Sequence, residues 1–239
     1  MNDYTDPVGS LFSEQWYCAN CPDIDGDPLT FFCSTGWRRG DNPSPLFSTK
    51  WYSSVYPDVS RHGVSPLEHF VTTGQTEGRS PHPLFDSAYY LAQLDGAPSM
   101  GCWNDFCTRG WSVGLSPHPL FNTCWYLDAH ADVRGANINP LVHYLLYGVS
   151  EGRRASQVFD NEWYVQQYPV AAKAFGGPLV DFVTYGASIC RDPSPNFSVE
   201  VYRRMYMQAD EADHNPLVHY IANVDSVDPL RIKSIAGIA

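Results

Sequence analysis

Lysine is nearly missing from this 239-residue sequence: it occurs three times, at Lys50, Lys173 and Lys233, against twelve arginines. Together with a formal net charge of −11, this scarcity argues against a nucleic-acid partner, because that affinity comes largely from neutralising phosphates with lysine and arginine. No run of eighteen apolar residues exists, so no membrane insertion is expected. Residues 1–10 are polar and acidic and lack the basic-then-apolar order of a secretory signal, so the expectation is a protein made in the cytoplasm. The seven cysteines are odd in number and irregularly spaced, which favours reduced, packed thiols.

Several chemical signatures are also missing. There is no phosphate loop, dinucleotide fingerprint or HExxH motif. Cys18, Cys21 and Cys33 lack a fourth ligand for zinc. Gly148-Val149-Ser150-Glu151-Gly152 fits G-x-S-x-G but has no preceding strand to form a nucleophile elbow. Accordingly no catalytic residue, metal or cofactor is expected, and the chain is not expected to be an enzyme. Paired carboxylates for glycoside cleavage have no fixed spacing, and that class stays open.

What the sequence does contain is a repeat. The string S-P-H-P-L-F occurs at residues 80–85 and 116–121, and P-S-P-L-F at 43–47. Taking the phenylalanine as anchor, copies begin at Phe12, Phe47, Phe85, Phe121, Phe159 and Phe197. An aromatic pair follows the anchor: Trp16-Tyr17, Trp51-Tyr52, Tyr89-Tyr90, Trp125-Tyr126 and Trp163-Tyr164, with Val201-Tyr202 in copy six. Further on come Pro66-Leu67, Pro140-Leu141, Pro178-Leu179 and Pro216-Leu217, each with an aromatic residue three positions after the leucine. Then, in the first five copies, follow Gly36, Gly74, Gly110, Gly148 and Gly186. A period of about 36–38 residues marks a repeat architecture.

The pattern predicts two short helices of about ten residues per copy and an all-α fold, a solenoid-like array of six two-helix units over residues 11–224. Asp86, Asn122 and Asp160 fill the cap position of the first helix, and Ser65-Pro66, Asn139-Pro140 and Asn215-Pro216 that of the second. The glycine is expected to end the second helix in a left-handed conformation. Trp16, Trp51, Trp125 and Trp163 are expected in the core, with Trp51, Trp125 and Trp163 buried between helical pairs. Residues 225–239 are expected to form a capping or docking tail.

Copies one and three depart from the pattern, and Trp37, Trp103 and Trp111 fall there as candidate ligand-binding aromatics. Seven arginines gather at the turn between copies: Arg38, Arg39, Arg79, Arg109, Arg153, Arg154 and Arg191. They either cap helix carbonyls or present forks to a polymer once per copy. Arg38, Arg79 and Arg153 are taken as binding candidates, with His82 and His118 of the S-P-H-P turns. His69, His143 and His219 share one position with Asp105 and Asp181, which suggests a common hydrogen bond to backbone.

The motif F-x-x-x-W-Y-L/V … Y-P-D-V … N-P-L-x-H-Y … Y-G-x-x-E-G-R resembles a repeat of bacterial proteins that handle surface polysaccharide, most closely the head-spike, capsule-binding proteins of phage-like gene transfer agents. The resemblance covers Phe12 to about Tyr220. It implies a carbohydrate-binding adhesin that attaches a released particle to capsular polysaccharide, with a second spike or capsid protein as a further partner. The alternative is an α-solenoid scaffold for protein interaction.

Overall fold

A computed structural model describes residues 11–211 and 213–223; the expected polar segment 1–10 and tail 225–239 lie outside the described residues, as does the last position of the six-copy span. The described chain is all-α, with only three isolated bridges, such as Ser44 with Phe47, in place of strands. The first helix of successive copies runs over Glu14–Asn20, Thr49–Val55, Ser87–Leu91, Thr123–Ala129, Asn161–Gln167 and Val199–Tyr206. These are shorter than expected, about two turns, too short to be stable unless packed.

The caps form as the sequence indicates. Asp86, Asn122 and Asp160 accept from the backbone N–H groups of Tyr89, Trp125 and Trp163. Asn139 and Asn215 each accept from two backbone N–H groups at the start of the second helix, with proline at its first position. The Asn-Pro start is therefore satisfied by side chain alone.

The core differs from expectation within the aromatic pair. Trp16, Trp51, Trp125 and Trp163 are only half-buried, whereas Tyr17, Tyr52, Tyr90, Tyr126, Tyr164 and Tyr202 are 0% exposed. Two adjacent residues on a helix point about 100° apart, so only one can face inward. The tyrosine faces inward because it meets both the anchor phenylalanine and the aromatic residue of the second helix. Tyr52 packs at 5.3 Å from Phe47 and edge-on to Phe70, and Tyr126 at 5.4 Å from Phe121 and edge-on to Tyr144.

A buried hydroxyl needs a partner. The tyrosine bonds His69 Nδ1 in copy two, His143 in copy four and His219 in copy six, at 2.8–3.0 Å. Asp105 and Asp181 serve in copies three and five, and Asp41 in copy one. The shared His/Asp position thus bonds a tyrosine hydroxyl, not backbone.

The same hydroxyl explains the glycines. A Cβ on Gly74 would lie 2.5 Å from the Tyr52 hydroxyl and one on Gly148 2.6 Å from that of Tyr126; Gly36, Gly110 and Gly186 are more crowded still. Gly36 is right-handed, not a left-handed terminator, and the left-handed positions come four residues later, at Gly40, Gly78, Gly114, Gly152 and Cys190. In copies one, two, four and five the second helix widens into a π turn ending on the crowded glycine, as in Phe70–Gly74 and Tyr144–Gly148.

One hydrogen bond recurs between consecutive copies. The backbone N–H of the cap residue donates to a carbonyl in the next copy's turn: Ser13 to Pro43, Ser48 to Pro81, Asp86 to Pro117, Asn122 to Ala155 and Asp160 to Pro193, at 2.8–3.3 Å. Two of the turns receiving these bonds are buried throughout, with residues 43–49 and 80–85 all inside, whereas Gln157 and Asn196 of the last two turns are exposed. Proline has no N–H, so a proline-rich turn can be buried with fewer donors to satisfy. Copy five also reaches back across the molecule: Phe175 meets Trp16 edge-on at 6.4 Å and His82 at 6.1 Å. Such contacts go beyond the nearest-neighbour pattern of a solenoid.

Alanine normally stabilises a helix by about 1 kcal/mol relative to glycine. Here Gly74→Ala is expected instead to destabilise by about 1–3 kcal/mol through overpacking, with part of the loss recovered when Tyr52→Phe removes the clashing oxygen. Urea unfolding of the two single variants and the double variant measures this coupling, and a Gly74→Ala variant as stable as the parent would contradict it.

Candidate functional site

The turns between copies carry seven of the twelve arginines, and most of these are already paired. Arg79 forks onto Asp58 at 2.8 and 3.1 Å, bonds Glu77 and lies over the Tyr56 ring. Arg153 repeats this with Asp132, at 2.7 and 2.8 Å, and Glu151. These arginines hold Asp58 and Asp132 below the usual carboxylate range. Where the tyrosine partner is an aspartate, the arginine pairs with that residue: Arg109 with Asp105, and Arg191 with Asp181. Arg39 does the same with Asp41 in copy one. Five of the seven turn arginines are therefore paired with carboxylates, whereas Arg38 and Arg154 donate to backbone carbonyls.

Three other candidates lie in the interior, which removes them from contact with a surface ligand. Trp103 stands in the leucine position of copy three, fully buried and edge-on to Phe85 at 5.1 Å. His82 and His118 are buried because their turns are. In each, Nδ1 accepts from the backbone N–H two residues on, Leu84 at 3.1 Å and Leu120 at 3.0 Å. Ser44 Oγ makes the same bond to Leu46 in copy two. The histidines are turn-capping groups, and the exchange of P-S-P with P-H-P between copies was a legible signal of that role.

Trp37, Arg38 and Trp111 remain near the surface. Both tryptophans are half-buried and donate Nε1 to a carbonyl four residues back, Cys33 and Cys107 respectively. Arg38 covers the Trp37 ring at 4.5 Å and also donates to the Ser34 carbonyl. Among the described residues no ring contact joins Trp37 to Trp111, and the eight candidates do not converge on one place. No group of three or more potential metal ligands occurs among the described residues, and no helix there is long and apolar enough to cross a membrane.

A cleft of about 520 Å3 does gather unspent polar groups, at the junction of copies five and six. Its origin is a break in the repeat. The residue before the anchor phenylalanine is leucine in four copies, Leu11, Leu46, Leu84 and Leu120, each at most 1% exposed. Copy five has Val158 there and copy six has Asn196, which is exposed and lines the cleft. Where apolar bulk would close the surface, a carboxamide faces outward.

Around Asn196 stand Arg154, Gln157, Asp160 and Ser194, over a floor that includes Phe197 and Tyr220. Arg154 is anchored: Nε donates to the Phe159 carbonyl at 3.1 Å and one terminal nitrogen to that of Gln157 at 3.0 Å. Its other terminal nitrogen is 3.9 Å from Asp160, which leaves room for a better acceptor. The side chains of Gln157, Ser194 and Asn196 bond no other group among the described residues. Sequence reasoning missed this site because it sought off-pattern aromatics and the arginines and histidines of the turns, whereas the signal is a polar residue in an apolar position.

No protein-family model matches the chain, and no curated protein and no solved structure shows significant similarity to it.

Burial pushes the His82 imidazole down to about 3 and that of His118 down to about 4, with the neighbouring Asp86 partly opposing the shift at His118. In the unfolded chain both titrate near 6.5. Below that pH the unfolded state binds more protons, so stability is full above about pH 6.5 and declines as pH falls toward 4. The urea midpoint is expected to drop across this window, and less steeply in a His82→Ser, His118→Ser variant, serine being the capping residue of copy two. Parallel pH profiles for parent and variant would contradict buried, neutral histidines.

Proposed function

We propose that the chain is an array of six stacked helical units that binds a bacterial cell-surface polysaccharide, and that it serves to attach a particle to cells. The observation that carries the reading is the cleft at Asn196. A saccharide offers a rim of hydroxyl groups that both donate and accept, together with apolar C–H faces. The cleft supplies matching chemistry: the Asn196 and Gln157 carboxamides do both, Arg154 donates, Asp160 accepts, and Tyr220 presents an amphipathic ring. Arg154 is already fixed by two carbonyls, so little side-chain freedom is lost on binding.

The recurrent bond from each cap N–H to the next copy's turn supports a stacked array. The resemblance to head-spike repeats, carried by the aromatic pair, the N-P-L-x-H-Y start and the E-G-R turn, supports the polysaccharide and the particle. Binding without turnover is the proposed mode, a second spike or capsid protein is the further partner, and the surface of a released particle is the proposed location. Several weak contacts along a polymer would sum to strong attachment.

Asn196→Leu restores the apolar residue of the other copies, so it is expected to fill the cleft while keeping or raising stability. On an array of bacterial surface polysaccharides the parent is expected to bind, with Asn196→Leu and Arg154→Ala each losing at least about tenfold, the size of one or two polar contacts. Equal binding by the parent and both variants would place the site elsewhere. Failure to bind any glycan, with one protein co-purifying in stoichiometric amount, would put the protein-scaffold reading ahead.

A further inference from the structure

A second break in the repeat builds a second cleft. In copies two and four the linker before the second helix carries left-handed Gly63 and Asn137. Copy five has Phe175 at the corresponding place and moves the left-handed turn to Gly176 and Gly177. A Cβ on Gly176 would meet Val180 at 2.6 Å, so only glycine lets this segment close down onto its helix. The result brings Phe175 opposite the first helix of copy two, and a cleft of about 340 Å3 opens between them.

Its walls are aromatic, with half-buried Trp51 on one side and Phe175 on the other, and Val180 and Pro83 beneath. Trp51 is steadied by an edge contact to Tyr56 at 6.4 Å, and Phe175 by Trp16 and His82. Most polar groups at the rim are already engaged. Asp181 accepts from Tyr164 and Arg191, Thr184 donates to the Val180 carbonyl and Ser54 to that of Trp51. Lys50 differs: it is exposed, and among the described residues it forms no ion pair or hydrogen bond. Its stem runs over Gly40, where a side chain would block it. In a chain with few lysines and a net charge of −11, an unpaired lysine lining the same cleft as two aromatic rings favours a ligand with an apolar ring face and a negative charge.

We propose that this cleft holds an acidic sugar residue, its carboxylate on Lys50 and the apolar face of its ring against Trp51 and Phe175. The proposal rests on the reading of the chain as a glycan binder and adds that the glycan is anionic. The two clefts share copy five but no lining residue, and one polymer chain engaging both would bind with the avidity of two linked contacts.

A linear trimer of galacturonic acid, with maltotriose as neutral counterpart, tests the proposal on the full chain. The indole N–H signal of Trp51, identified by its absence in Trp51→Phe, is expected to move on adding the acidic trimer and to stay put with maltotriose. Lys50→Gln is expected to weaken acidic-trimer binding about three- to tenfold and to flatten its salt dependence, since screening acts on the charge pair alone. Exposure of Lys50 makes loss of folding a minor concern, and an unchanged urea midpoint controls for it. The proposal falls if the Trp51 signal is unmoved at millimolar acidic trimer, or if Lys50→Gln changes neither affinity nor salt slope. Should glycan binding be lost in Asn196→Leu yet untouched in Lys50→Gln, this inference fails while the glycan reading stands. Should no saccharide of either charge bind, both fail together.

Discussion

The hydroxyl of the buried tyrosine is the constraint on which each copy is organised. Taking a phenolic O–H out of water without a partner costs on the order of 1–3 kcal/mol, so every copy must supply an acceptor. It must also leave space for the oxygen, which fixes the glycine. The acceptor then decides where charge goes. A neutral histidine, as in His69 and His143, cannot neutralise the turn arginine, and those copies carry Asp58 and Asp132 for that purpose. An aspartate acceptor serves both the tyrosine and the arginine, as Asp181 does for Tyr164 and Arg191. Copy five accordingly has Val170 where copies two and four have Asp58 and Asp132. The His/Asp exchange and the appearance of the Y-P-D-V aspartate are one choice made twice.

Much of this was legible before any coordinates, because repetition substitutes for an alignment. The helical class, the Asn-Pro caps and the acidic N-caps follow from local chemistry that acts within four residues. Which member of the Trp-Tyr pair turns inward does not, since it depends on the anchor phenylalanine of the same copy and the aromatic residue of the next helix. Repeat position put Trp51 in the core, whereas the folded geometry buries Tyr52. The glycine was visible as a fixed residue, but its cause, an oxygen from the preceding helix, is tertiary. His82 stood in a turn as a candidate ligand contact, and its burial reflects the inward packing of residues 80–85, whose Pro81 carbonyl accepts from Ser48 of the preceding copy.

Function is best sought where the copies disagree. Positions that obey the repeat are committed to packing, and their polar groups are committed to one another, as the arginine–aspartate forks show. Asn196 in the place of leucine and Phe175 in the place of a left-handed turn residue have no such duty, and each opens a cleft of its own. Both clefts sit where residues from different copies meet, so contacts between copies position them rather than any one helix. Acidic net charge keeps most of the surface averse to anions, while Arg154 and Lys50 supply local positive charge at two places.

The claim that one junction joins all copies is tested most directly by native-state hydrogen exchange at the cap amides of Ser13, Ser48, Asp86, Asn122 and Asp160. Each donates to the turn of the next copy, so opening any of them requires separating two copies. All five are expected to exchange slowly, close to the limit set by global unfolding. Exchange at Ser48, Asp86 and Asn122 as fast as at an exposed linker amide, such as that of Gly96, would contradict the account.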